Sequence, residues 1–217
     1  MSETPAPEHA EPIRPAAIYA ELRADILSAE IAPGATVTES AAALRFGVAR
    51  PTARIAIERL VTDGLLRREP HQAARVPRLS SDDVNDLFTN RAIIEGAAIE
   101  ALAQHGAIPA AALHAHRSLR AGTKGFAHDD IQFHRALVAG QPSSRLTRLH
   151  ELLMGEIELC IGQVQSAQLI TAHDVAEQHQ GILDAITAGD AGTAERLTRE
   201  HILGARDRLL THLDSTN

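Results

Sequence analysis

Residues 37–69, VTESAAALRFGVARPTARIAIERLVTDGLLRRE, constrain the fold more than any other stretch of the chain. Thr38 is placed to N-cap a short helix carrying Ala42, Ala43 and Phe46, and Gly47 supplies the backbone freedom of a tight turn between packed helices. A second helix is expected from about Arg50 to Asp63. In it Ala53, Ala56, Ile57 and Leu60 recur at spacings of three and four, one core stripe that leaves Arg50, Arg54 and Arg59 outside. Gly64 stops this helix, and LLRRE followed by PHQAARVP reads as a two-stranded β wing with its tip near His71 to Ala73.

Two helices, a tight turn and a strand pair, in that order, are the signature of a winged helix-turn-helix. Arginines near the start of its second helix lie where such a unit meets the major groove, so Arg50 and Arg54, and more weakly Arg59, are candidates for contact with duplex DNA. A three-helix unit that packs against protein is the alternative, because exposed arginines are ordinarily only solvated charge.

The net charge of −7 fits a DNA-binding role only once it is divided along the chain. Residues 1–12 carry three acids and no Lys or Arg, residues 13–78 carry ten arginines against seven acids, and residues 79–217 carry eleven basic residues against eighteen acids. Only the middle segment has a positive balance. That small excess predicts modest non-specific affinity and reliance on dimerisation.

With 217 residues, 44 % of them hydrophobic, the chain has enough apolar material for one or two real cores. A single cysteine, Cys160, leaves no disulfide framework, and no apolar run reaches the length of a membrane span or a signal-peptide core. A cytoplasmic location is expected. The first twelve residues, rich in Pro, Glu and Ala without periodicity, are expected to be a disordered tail.

The fold class expected is mainly α: a winged helix-turn-helix domain at 13–78, three helices plus a small β wing, then an all-helical antiparallel bundle at 79–217. Ser80 or Ser81, followed by Asp82 and Asp83, marks the first bundle helix. Helices are expected at roughly 82–104, 109–121, 127–139, 143–165, 173–188 and 190–213, separated by Gly-containing turns and by a short turn near Ser166.

A second constellation lies inside that bundle. Asp130 and His134 are one turn apart on one helix face, flanked by Phe133 and Leu137. His179 shares a stripe with Ile182, Leu183 and Ile186, and His201 lies near Leu197, Ala205 and Leu209. Three imidazoles and a carboxylate thus point inward from three helices. A divalent cation would resolve the cost of burying them, and this donor set suits zinc or nickel. The chain has twelve histidines, so a chance cluster of core and surface residues is the alternative. Arg91 and Glu95 are spaced for an i,i+4 ion pair. His128, His150 and His173 are expected at the surface, and Asp129 as a helix-start charge.

Residues 16–78 resemble the DNA-binding domain of the GntR family of bacterial transcription regulators. The likeness is carried by IYAELRADILSAEIAPG, Glu39, Gly47-Val48, Arg50, Arg54, the AIERL run and Asp63-Gly64-Leu65. Residues 82–213 resemble the helical FCD effector domain of one branch of that family, through RAIIEGAAIEALA, FHRAL and EQHQGILDAI. This likeness implies a homodimer on a palindromic operator, DNA contact from Arg50, Arg54, Arg59, Thr52 and Glu39, metal ligation by Asp130, His134, His179 and His201, and a small organic acid effector met by Arg91. Three departures stand out. Ala49-Arg50-Pro51-Thr52 replaces the family's Ser-Arg-Thr-Pro, removing the cap hydroxyl and moving the proline one place early; Ser40 replaces a basic residue; Ala73 replaces a wing-tip glycine. Pro51 disfavours helical angles at Arg50, so the recognition helix is expected to start one residue late. Rival functions are a metal-dependent hydrolase, a metal sensor without an organic effector, and a protein-interaction module that has lost DNA binding.

Overall fold

The computed structural model describes residues 14–122 and 125–216, so the expected tail at 1–12 lies outside the described residues. The fold is mainly α, as expected, with one two-stranded antiparallel sheet among the described residues.

The N-terminal head comprises α1 (Pro15–Leu27), β1 (Thr36–Val37), α2 (Glu39–Phe46), α3 (Arg50–Thr62) and β2 (Ala74–Arg75). Ile18, Leu22 and Ile26 of α1 close over Ala42, Ala43 and Phe46 of α2 and the Ala53, Ala56, Ile57, Leu60 stripe of α3. Leu65, Leu66, Ala74 and Val76 complete this core. Thr38 caps α2 by accepting the Ala41 N–H at 3.1 Å, and Gly47 ends it with φ of 63°, the left-handed conformation glycine adopts without steric cost.

The head departs from expectation at two places. α3 begins at Arg50, not one residue later: Pro51 sits in the first helical turn, where its missing N–H would have had no partner anyway. Ala49 makes no side-chain cap bond, as its apolar side chain requires. The wing also differs, because Ala74 and Arg75 pair with Val37 and Thr36, whereas the expected partner segment contributes only the single bridge Arg67–Arg75. A two-residue strand such as β1 carries no periodicity to announce it. His71 holds the wing turn at φ of 64°, a left-handed conformation that histidine tolerates better than most non-glycine residues.

The bundle comprises α4 (Ser81–His105), α5 (Ala110–Ala121), α6 (Ala127–Gly140), α7 (Ser144–Ser166), α8 (Ala172–Thr187) and α9 (Ala191–Thr216). α4 opens on a capping box in which Ser80 and Asp83 satisfy each other's backbone N–H groups. Its Val84, Leu87, Phe88 and Ala92 join Met154, Ile157 and Ile161 of α7 and Ile202 and Leu209 of α9 in one core. A second core at the other end gathers Ile99, Leu102, Phe133, Leu137, Ile182 and Ile186. Arg91, Glu95 and the polar constellation lie between the two. Among the described residues no helix is long and apolar enough to cross a membrane.

Helix α7 also carries the head. Gly155 takes the carbonyl of Asp63 so closely that a Cβ there would overlap it. Leu159 of α7 belongs to the head's core. Arg23 of α1 pairs with the buried Glu158, and Arg67 donates to Glu156 at 2.6 Å.

Candidate functional sites: a buried metal centre and an exposed recognition helix

α6 presents Asp130 and His134 one turn apart, α8 contributes His179 and α9 contributes His201, because each sits on its helix's buried stripe. All four are buried, and one ligand atom from each lies within 4.8 Å of the other three. Oδ1 of Asp130 is 3.2 Å from Nε2 of His179, 3.4 Å from Nε2 of His201 and 3.7 Å from Nε2 of His134. The Nε2 atoms of His134 and His201 are 3.1 Å apart. A cation bonded to nitrogens at about 2.0–2.1 Å in tetrahedral geometry holds its donors about 3.3–3.4 Å apart, so the observed spacings fit a metal of that size.

The surrounding groups decide which ring nitrogens carry protons. Nδ1 of His201 donates to Oε1 of Gln178 at 2.7 Å, and Nδ1 of His134 faces Oε2 of Glu95 at 2.5 Å; both oxygens only accept. With both rings neutral, these contacts put each proton on Nδ1 and leave both Nε2 atoms with lone pairs. Those lone pairs point at one another and at a carboxylate oxygen. Such a set of acceptors is electrostatically unfavourable without a cation among them, and outer carboxylate and carbonyl partners on Nδ1 are what orient metal-binding imidazoles.

The shell around this set is itself charged and buried. Arg91 and Glu95 are 0 % exposed, and Nε of Arg91 donates to Oε1 of Glu95 at 2.7 Å. The i,i+4 pair considered for Arg91 thus forms, yet it uses one of three nitrogens. Nη1 and Nη2 have no hydrogen-bond partner, and Nη2 is 4.0 Å from Oδ2 of Asp130, which also lacks one. Besides the facing pair of His134 Nδ1 and Glu95 Oε2, six buried side-chain N and O atoms of Arg91, Asp130, His150 and His179 have no hydrogen-bond partner among the described residues. Buried polar groups are almost always paired, so this concentration sets the region apart from the apolar cores on either side.

Electrostatics set the protonation states that metal binding needs. Burial depresses the His179 pKa from its ordinary value to about 3, and it depresses those of His134 and His116 as well. Burial alone would raise Asp130 and Glu95. The histidines approaching Asp130, and Arg91 and His134 beside Glu95, outweigh it and hold both carboxyls well below the usual range. Neutral His134 and His179 and ionised Asp130 and Glu95 are therefore present at neutral pH, the forms that ligate cations.

His150 corrects the sequence reading. Expected at the surface, it is fully buried on α7, and its Nε2 lies 2.9 Å from Oε1 of Glu95. Its place at the head of the Met154, Ile157, Ile161 stripe is the sequence signal that could have shown this. Glu95 was considered only as a partner for Arg91; it proves to join Arg91, His134 and His150. His128 and His173 are exposed, and Asp129 accepts from Ser118 at 3.0 Å, away from the cluster.

The residues considered for DNA contact occupy the opposite kind of surrounding. Arg50 is exposed at the start of α3, Thr52 is half-buried, and the Arg54 side chain is 63 % exposed, with Glu39 at 3.7 Å and Glu58 at 3.6 Å. Arg59, one turn further on, lies over the Tyr19 ring at 4.0 Å and 3.7 Å from Asp63, so it is held against α1. The structure therefore separates Arg59 from Arg50 and Arg54.

Two family models match the chain: bacterial regulatory proteins of the gntR family over residues 15–76, and the FCD domain over residues 86–204. The chain belongs to the GntR family. This GntR regulator is 28 % identical to the "Probable D-xylose utilization operon transcriptional repressor" of Paenarthrobacter nicotinovorans, over 82 % of this chain and 80 % of that one. It is 26 % identical to the transcriptional repressor NanR of Cronobacter sakazakii, over 72 % and 70 %. Its fold is that of a GntR transcriptional regulator from Rhodococcus sp. RHA1, with a TM-score of 0.74, 22 % identity and coverage of 91 % and 97 %. It is a transcription regulator and not an enzyme, which closes the hydrolase reading.

Proposed function

We propose that this regulator binds a palindromic operator as a homodimer in the cytoplasm and that its bundle, from about Leu79 onward, senses a small organic acid through a bound divalent cation. The observation that carries the reading is the convergence of Nε2 of His134, His179 and His201 on Oδ1 of Asp130, all four residues buried. Asp130, His134, His179 and His201 would hold the ion, with zinc or nickel suited to three nitrogens and one oxygen. When bound, the metal supplies a Lewis-acid centre for a carboxylate oxygen. Arg91 supplies two unpartnered guanidinium nitrogens next to Asp130, which favours an organic anion over a sensor that answers to metal alone.

In the head, Arg50 and Arg54 are the principal DNA contacts, Thr52 and Glu39 flank them, and Arg59 contributes least because Tyr19 and Asp63 engage it. Exposed Ile93 on α4 and exposed Leu149 and Leu152 on α7 give the bundle apolar surface for a second copy. Coupling between effector and DNA runs along α7. His150 ties that helix to Glu95 and the metal ligands, while Gly155, Glu156, Glu158 and Leu159 seat the head on it. An effector acts through such a helix only if it binds one arrangement of the heads more tightly than another.

Thermal-shift titration of metal-free protein with zinc or nickel alone, then with a panel of small carboxylic acids, tests the sensing role. The reading requires a rise in melting temperature with metal and a further rise with an acid only when metal is present. An acid that stabilises equally without metal would contradict it.

A further inference from the structure

The first turns of α3 present two parallel rows to solvent. Arg50 and Arg54, four residues apart, form a basic row; Pro51 and Ile55, also four apart and each one residue further round the helix, form an apolar row beside it. The core stripe of Ala53, Ala56, Ile57 and Leu60 lies on the other side and fills the head without Ile55. Ile55 is 59 % exposed, the one large apolar side chain left open on α3. Its β-branched side chain has a strongly preferred rotamer in a helix, so it projects in a fixed direction next to Arg54. Arg54 is drawn toward Glu39 and Glu58, whereas Ile55 has no charged partner.

On the base edges of the major groove the apolar group is the thymine 5-methyl, and side chains such as Ala, Phe and the Thr methyl are what recognise it. We infer that Ile55 is a specificity-determining residue that reads thymine methyl groups in the operator, while the arginine row beside it reads guanine edges or phosphates. The inference rests on the DNA-binding reading of α3 and extends it to the chemistry of the bases chosen.

The test uses the full chain and a random duplex library, from which bound duplexes are selected and sequenced. In the selected duplex each required thymine is then replaced by uracil, which removes only the methyl. Wild-type affinity should fall about fourfold at the thymine that Ile55 meets, the effect of losing one buried methyl contact. Ile55→Ala should bind the thymine and uracil duplexes equally and match the wild-type affinity for the uracil duplex, and Ile55→Val should retain part of the discrimination. Because Ile55 is exposed, the variants should melt at the wild-type temperature. The same thymine-over-uracil ratio in Ile55→Ala, or no thymine requirement in the selected duplexes, would overturn the inference while leaving DNA binding intact. Failure to select any duplex would overturn the DNA-binding reading and this inference with it.

Discussion

The head and the bundle use charged residues in opposite ways. On the recognition helix of the head, Arg54 and Arg59 stand outside an aliphatic core, loosely paired and more than half exposed, Arg54 with Glu39 and Glu58 and Arg59 over Tyr19. In the bundle, Arg91, Glu95, Asp130 and four histidines are buried between two apolar cores. The functional surface of the head can thus change without disturbing what folds it. The candidate site of the bundle cannot, because its residues occupy positions that the core would otherwise fill.

The largest effect that tests this contrast is expected at Glu95. Glu95→Ala leaves the fully buried Arg91 without its carboxylate, and breaking a buried pair in this way typically costs about 3–5 kcal/mol, read as a fall in the urea midpoint. A loss below about 1 kcal/mol would mean that the buried network is not a structural element.

Metal comes next. A ligand present at about a thousand times its dissociation constant stabilises by about 4 kcal/mol, so adding zinc or nickel to chelator-treated protein should raise its melting temperature by several degrees. The Asp130→Asn variant should lose most of that rise. An equal rise in both would show that the ion binds elsewhere.

Acid sharpens the same comparison. His179 stays neutral in the folded chain down to about pH 3, whereas the unfolded chain protonates it near its ordinary pKa. The unfolded state therefore binds the extra proton between these values, and stability falls as pH drops from about 6.5 toward 3. The slope is on the order of 1 kcal/mol per pH unit for each such histidine, with His134 and His116 adding in the same direction. Glu95 and Asp130 steepen the loss further below their ordinary range. Metal-free protein whose melting temperature is flat between pH 7 and pH 5 would contradict neutral burial of these rings.

The smallest stability effect is expected at Arg54. Arg54→Ala should change stability by no more than about 0.5 kcal/mol, since its pairs are exposed, while gel-shift titration at fixed salt shows a clear loss of operator affinity. Unchanged affinity would remove Arg54 from the DNA contacts.

What the sequence reveals follows the same division. The helices of the bundle are legible to within three residues because caps and glycines punctuate a 3.6-residue stripe, as at Ser80, Gly106 and Gly122. The pairing of β1 is not, because Thr36 and Val37 find Arg75 and Ala74 almost forty residues away. The convergence of Asp130, His134, His179 and His201 is legible from stripe positions together with a family likeness. The groups behind them are harder: Glu95 and His150 are 55 residues apart, and only packing of α4 on α7 reveals that they meet. Both do lie on buried stripes, Glu95 one turn after Arg91 and His150 one turn before Met154. A charged or titratable residue in such a stripe is the local signal for an inner shell, although its partner is not local.

Four donor atoms from α6, α8 and α9 are proposed to hold a cation. Elemental analysis of the purified full chain tests this proposal most directly, set against a His179→Ala, His201→Ala double variant whose helical content is checked by circular dichroism. The account predicts about one zinc or nickel ion per wild-type chain and close to none in the folded double variant. Equal metal in both, or none in wild-type protein supplied with zinc and nickel, would contradict it.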